Sequence, residues 1–243
     1  MELLQITGYG LLTGVAGTGL GGILGLFCRR RSAAFLSAVL SYAAGAMLAV
    51  TTFGLLPQGL KTGGLPLTLL GVLVGVAGMT AGESWMEKRQ KMSSGGEMRR
   101  LGLVIAVGIA LHNLPEGLAI GSGMQAVPAL GFSLMLTILL HDIPEGLSMV
   151  IPLEKGDLPG GKAVAISAFS GVPTGIGAYL GGAAGAVSPA VLTFCLSLAA
   201  GAMLYVAASD LLPQTQALYP GRVPGGFLIL GLMTGMIISI CIE

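Results

Sequence analysis

The chain has 243 residues, 53% of them apolar and a further 41 Gly, while only 9% are Asp, Glu, Lys or Arg. A soluble domain carries about 25% charge, so an ordinary water-soluble globule and a disordered chain are both excluded. A formal net charge of +1 leaves no basic footprint for nucleic acid. There is no G-X-Y period; the glycines sit among Leu, Val and Ala, where small residues let apolar helices approach closely. The composition is that of an all-α polytopic membrane protein.

In chain order, the first apolar stretch, 5–27, follows Met1-Glu2 with no basic region before it and no convincing cleavage site. It is expected to be a retained span rather than a signal peptide. Cutting at charges and Pro/Gly clusters gives seven more spans, 33–56, 65–85, 101–124, 128–152, 161–184, 189–212 and 223–242, each near the roughly 20 residues that cross a bilayer. The longest connection, about 86–100, reads EKRQKMSSGGEMRR and is expected to be a cytoplasmic loop. With eight spans, one side collects Arg29, Arg30, Arg31, Lys88, Arg89, Lys91, Arg99, Arg100, Lys155, Lys162 and Arg222, and the other only Lys61. Basic loops stay in the cytoplasm, so both termini are expected outside a cell (inner) membrane. Cys28, Cys195 and Cys241 show no metal-ligand spacing and are read as packing residues.

Two internal repeats divide the chain. AAGAML at residues 43–48 recurs at 199–204, LLPQ at 55–58 recurs at 211–214, and TGLGGILG at 18–25 meets TGIGAYLG at 174–181, all at one offset of 156 residues. Helices 1 and 2 thus match helices 6 and 7, and a shift of five helices reverses the direction of crossing. A second repeat, at an offset of 29, relates HNLPEGL at 112–118 in helix 4 to HDIPEGL at 141–147 in helix 5. Together they predict a 3+2+3 inverted-repeat arrangement within a single domain, 1–243. Such repeats are a recurring construction of secondary transporters, whose sites lie near the midplane.

The only two histidines head these heptapeptides. On a helix, His112 shares a face with Glu116, and His141 with Glu145; Asn113 and Asp142 project about 100° further round. Pro115 and Pro144 remove the amide donors to the Leu111 and Leu140 carbonyls. A carboxylate at the middle of a span costs about 2.5–3.5 kcal/mol, so Glu116, Glu145 and Asp142 together would cost about 8–10 kcal/mol uncompensated. No Lys or Arg lies in the span interiors, which leaves protons, water or a metal cation as the compensation. Imidazole with carboxylate suits zinc, iron and other first-row divalent ions.

Outside the heptapeptides, Met47 and Met203 occupy equivalent positions, with packing the first expectation and contact of soft sulfur with a passing metal the second. Asp210 is expected either in a pathway or at the headgroups. Glu83, beside Trp85, is expected at the interface, and Gln58 and Gln214 at helix ends.

These features resemble the ZIP family of divalent-metal transporters, in its bacterial GufA-like branch. The resemblance rests on the paired H-[ND]-x-P-E-G helices, the eight spans with both ends outside and the cytoplasmic loop between helices 3 and 4. It implies import of zinc, with iron, manganese or cadmium as other cargoes, by an elevator-like sliding of helix bundles in a protein that is commonly a dimer in the bilayer. It also implies that His112, Glu116, His141 and Glu145 form the main transport site, that Asn113 and Asp142 complete an adjoining one, and that Met47 lies near the first. The metal is cargo and no cofactor is expected. Relatives often carry S-G-x-x-E-P on helix 6; here residues 170–175 read SGVPTG, with Thr174 at the acidic position, which favours one well-bound metal. The competing reading, an intramembrane metal-dependent enzyme, lacks the HExxH spacing of zincin chemistry.

Overall fold

A computed structural model describes residues 2–28, 32–90 and 97–242, giving the backbone alone for 86–90, 97 and 242. The described residues fold into helices joined by short connections. These are α1 (Leu3–Cys28), α2 (Ala33–Ala49), α3 (Leu56–Gln90), α4 (Glu97–Ala126), α5 (Pro128–Lys155), α6 (Gly160–Ser170), α7 (Val172–Gly185), α8 (Pro189–Val206), α9 (Leu212–Leu218) and α10 (Val223–Ile242). Seven helical stretches are long and apolar enough to cross a bilayer. One of them, Ala33–Trp85, runs 53 residues, about 80 Å of helix at 1.5 Å per residue and far longer than one crossing needs.

The sequence suggested a break at 57–64. The structure instead keeps residues 56–63 helical and turns the chain at Gly64, whose φ of 74° and ψ of 176° lie outside the helical region. Only Gly adopts such a conformation without strain. Pro66 follows two residues later, a residue tolerated in the first turn of a new helical run because its missing amide would be unpaired there anyway. The expected cytoplasmic loop is shorter than 86–100, since α3 continues to Gln90 and α4 starts at Glu97. Lys91, with Arg29, Arg30 and Arg31, lies outside the described residues, and the side chains of Lys88 and Arg89 do as well.

Two helical junctions are wide π-helical turns, Val50–Leu55 between α2 and α3 and Ala207–Leu211 between α8 and α9. Each precedes a Leu-Pro-Gln sequence, at 56–58 and 212–214. A proline ring clashes with the carbonyl four residues back, and a wider turn relieves that clash without ending the helix. The Leu56 amide reaches Thr51 O and the Leu212 amide reaches Ala207 O. The stretch expected as one span at 161–184 is broken at Gly171 into α6 and α7.

Packing follows the small residues. α1 lies against α5 and α7, α4 against α7 and α5, α3 against α8, and α10 against α2. One stripe of α1, Gly10, Gly14, Gly17, Gly21 and Gly25, is buried. A Cβ on Gly21 would strike the Ile143 carbonyl, and one on Gly146 of α5 would strike the Thr18 carbonyl, so backbones touch directly beside the second heptapeptide. Apolar clusters lie around the α4–α5 pair. The larger contains Leu40, Met47, Ile120, Leu134, Ile138 and Met203; the smaller contains Ile109, Met149, Val150 and Leu153. The polar heptapeptides are therefore flanked by well-packed hydrocarbon.

Candidate metal centre

Helical spacing puts His112 with Glu116 on α4 and His141 with Glu145 on α5. Contacts form crosswise between the helices. His112 Nε2 is 2.9 Å from Glu145 Oε2, and His141 Nε2 is 2.8 Å from Glu116 Oε1. Asp142 Oδ1 lies 3.7 Å from the same His141 nitrogen. Sequence reasoning could place each pair on a face, but not show that each imidazole meets the other helix's glutamate. That exchange depends on how α4 and α5 cross.

All six heptapeptide side chains are buried; only His112 retains even 6% exposure. Ligating atoms of His112, Glu116 and Glu145 lie within 4.8 Å of one another, as do those of Glu116, His141 and Asp142. Glu116 belongs to both groups. Several buried atoms here accept no hydrogen bond among the described residues: Glu116 Oε2, Glu145 Oε1, both oxygens of Asp142 and Asn113 Oδ1. His141 Nδ1 is also unpaired. Buried polar groups are almost always partnered, and orphaned carboxylate oxygens are costly in a low-dielectric interior. A divalent cation would satisfy several at once. The mixture of imidazole nitrogen and carboxylate oxygen fits a first-row transition metal better than magnesium or calcium.

The remaining expected residues fall in different places. Asn113 Nδ2 donates to the Ser170 carbonyl at 2.8 Å. Thr174 is buried with an unpartnered hydroxyl; a Cβ on Gly14 of α1 would strike its side chain, and one on Gly117 of α4 its carbonyl. It is thus wedged between those helices. Met47 is fully buried in the larger apolar cluster.

A cavity of about 290 Å³ reaches the centre from one end of the bundle, lined by Glu83, Val104, His112, Glu145, Asp210 and Gln214 among others. Glu83, expected at the interface, lines this cavity and accepts a hydrogen bond from Tyr205 at 2.7 Å. Gln58 and Gln214 are the third residues of α3 and α9, in their first turns. The Glu83–Tyr205 contact joins residues 122 apart in the chain and left no signal in the sequence; Asp210, with no basic residue near it in the chain, was the available hint. Ser148, which donates to the Glu145 carbonyl at 2.7 Å, was missed as well.

Comparison with known proteins adds a second kind of observation. A family model described as ZIP Zinc transporter matches residues 80–243. Zinc transporter ZupT of Enterobacter sp. (strain 638) is 33% identical over 239 residues, covering 91% of each chain. The ZupT of Salmonella heidelberg (strain SL476) is 32% identical over the same length and coverage. Zinc transporter ZIP11 of Xenopus tropicalis is 35% identical over 164 residues, 65% of this chain, and the match spans 49% of that relative's length.

Proposed function

The chain belongs to the ZIP zinc transporter family, and on that premise we propose that it carries zinc across the membrane towards the cytoplasm through the centre between α4 and α5. It is a membrane transporter rather than an enzyme. The observation that carries the reading is the pair of crossed His–Glu contacts, with buried carboxylate oxygens left unpartnered around them. His112, Glu116, His141 and Glu145 are the main ligands in this proposal. Asp142 and Asn113 adjoin them, Met47 contributes from further off, and Thr174 leaves the centre with one well-bound metal. Iron(II), manganese and cadmium are the other cargoes such donors would accept.

The proposal counts Ala33–Trp85 as two passes that reverse at Gly64, giving eight spans in a 3+2+3 inverted repeat. Three features support that count. The π-helical turns recur at the repeat offset. The packing pairs exchange under it, α1 with α5 answering α7 with α4, and α3 with α8 answering α10 with α2. The 11-to-1 basic bias of the loops needs all eight. Both ends then face outward from a bacterial inner membrane, and the cavity opens on the basic, cytoplasmic side, beside the start of α4 where Arg99 and Arg100 lie. This is an inward-facing arrangement, and an elevator-like sliding of helices within a homodimer would present the same centre outward.

The test is flux. Protein in liposomes should pass zinc, and His112→Ala or Glu145→Ala should lose flux while remaining folded. Normal transport by both variants would defeat the site assignment. A panel of metals through the wild type ranks the cargoes, and Thr174→Glu should change metal stoichiometry or selectivity.

A further inference from the structure

The two heptapeptides differ at two positions, an apolar exchange of Leu114 for Ile143 and a polar one of Asn113 in HNLPEGL for Asp142 in HDIPEGL. Their surroundings differ too. Asn113 faces the junction of α6 and α7. There the Gly171 amide bonds Ala168 O and the Thr174 amide turns back to Gly171 O, each at 3.2 Å. Pro173 has no amide to offer. The Ser170 carbonyl, which a continuous helix would pair with the Thr174 amide, instead accepts from Asn113 Nδ2 at 2.8 Å. A carbonyl accepts only, so it selects the NH₂ limb of the amide. The other limb, Oδ1, is then fixed in direction, buried and without a partner.

Among the described residues, Asp142 has no such neighbour. It faces α1, where a Cβ on Gly17 would strike its side chain. At the 156-residue offset, Gly14 of α1 corresponds to Ser170 and Thr18 to Thr174. α1 is unbroken there, and the Gly14 carbonyl already accepts the Thr18 hydroxyl at 2.8 Å. No carbonyl is released to hold an amide, and both Asp142 oxygens are free to accept.

We infer that the break between α6 and α7 orients Asn113 through the released Ser170 carbonyl, so that the two equivalent positions hold fixed and non-interchangeable parts. Asn113 is a positioning amide that ties α4 to the α6–α7 junction and offers a single oxygen; Asp142 is the acceptor-only carboxylate. This rests on the reading of the centre as a metal carrier. An Asp at 113 sets carboxylate against carbonyl, and an Asn at 142 adds donors where the charge of a cation must be met.

The test is an exchange. Asn113→Asp combined with Asp142→Asn keeps the same side chains and the same formal charge, only swapped. Zinc affinity of the purified full chain is measured by competition with a fluorescent chelator, alongside thermal unfolding without zinc. The exchanged protein should unfold as a single cooperative species yet bind zinc about tenfold to a hundredfold more weakly, the usual effect of losing an orienting partner. Wild-type affinity in the exchanged protein overturns the inference alone; a wild type that binds no zinc overturns the transport reading and this inference with it. Should the exchanged protein not fold, Pro173→Ala supplies the missing amide and lets the Thr174 amide reclaim the Ser170 carbonyl. Pro173→Ala and Asn113→Ala then act through one contact, and the double variant loses no more affinity than Asn113→Ala. Fully additive losses overturn the inference.

Discussion

His112 and Glu145 stand 33 residues apart on different helices, yet Nε2 and Oε2 are 2.9 Å apart, and the repeat copy of that contact, His141 with Glu116, is 2.8 Å. Each helix therefore supplies the imidazole of one contact and the carboxylate of the other. Neither helix alone forms a His–Glu pair.

Removing one partner of a buried pair costs about 3–5 kcal/mol, because the other is left uncompensated. His112→Ala should lower the unfolding temperature markedly. Glu145→Gln retains a hydrogen-bonding oxygen and should unfold near the wild type. Both should reduce zinc flux at least about tenfold, the factor for 1.4 kcal/mol, and the double variant should lose little more than the worse single one. Independent, additive losses in a flux-based double-mutant cycle would show that the residues do not act as a unit.

A proton must lie between each imidazole nitrogen and its carboxylate when no metal is bound, and zinc takes only the deprotonated ligands. Zinc binding at Nε2 therefore displaces that proton, either to solvent or to the other ring nitrogen, which is unpaired in His141. Calorimetric titrations in two buffers of different ionisation enthalpy separate the two routes: different apparent heats show release to solvent, and identical heats show transfer within the imidazole.

Gly146→Ala places a methyl against the Thr18 carbonyl and the Gly22 amide. The overpacking should cost about 1–3 kcal/mol, read as a lower unfolding temperature, and should slow flux. Gly161→Ala meets nothing within 4 Å and should be neutral or slightly stabilising, as expected from helix propensity alone. Equal effects of the two would remove the close-packing argument.

The cavity makes a prediction about access. In a cysteine-free background, Gln214→Cys and Val104→Cys should react with a membrane-impermeant maleimide added on the cytoplasmic side, and Ile138→Cys, fully buried in the apolar cluster, should not. Labelling from the outside only would reverse the assigned direction of the opening.

The sequence carried the class of fold and the composition of the centre because both rest on local rules. Apolar length marks spans, and four-residue spacing places His112 over Glu116 on one face. What it did not carry depends on relations between distant helices. The crossed pairing needs the meeting of α4 and α5. The partner of Asn113 needs the break at Gly171, where Ser-Gly-Val-Pro reads as ordinary helix interrupted by proline. The stretch before the kink at Gly64 was read as an eight-residue gap, 57–64, because Pro57 and Gly59 look like loop residues; the π-helical turn before Pro57 absorbs the proline instead. Glu83 lines the cavity and meets Tyr205 from a helix 122 residues on in the chain, a contact with no local trace.

A π-helical turn holds one more residue than the turn it replaces, so every position after it is advanced about 100° around the axis. Gln214 lies on the cavity wall because Ala207–Leu211 supplies that advance first. Deleting a single residue there, such as Ser209, would leave length and hydrophobicity almost untouched while swinging Gln214 to another quadrant. The surplus residue works as an angular setting, present in both halves of the chain, and indels harmless in a loop would here misaim the cavity wall.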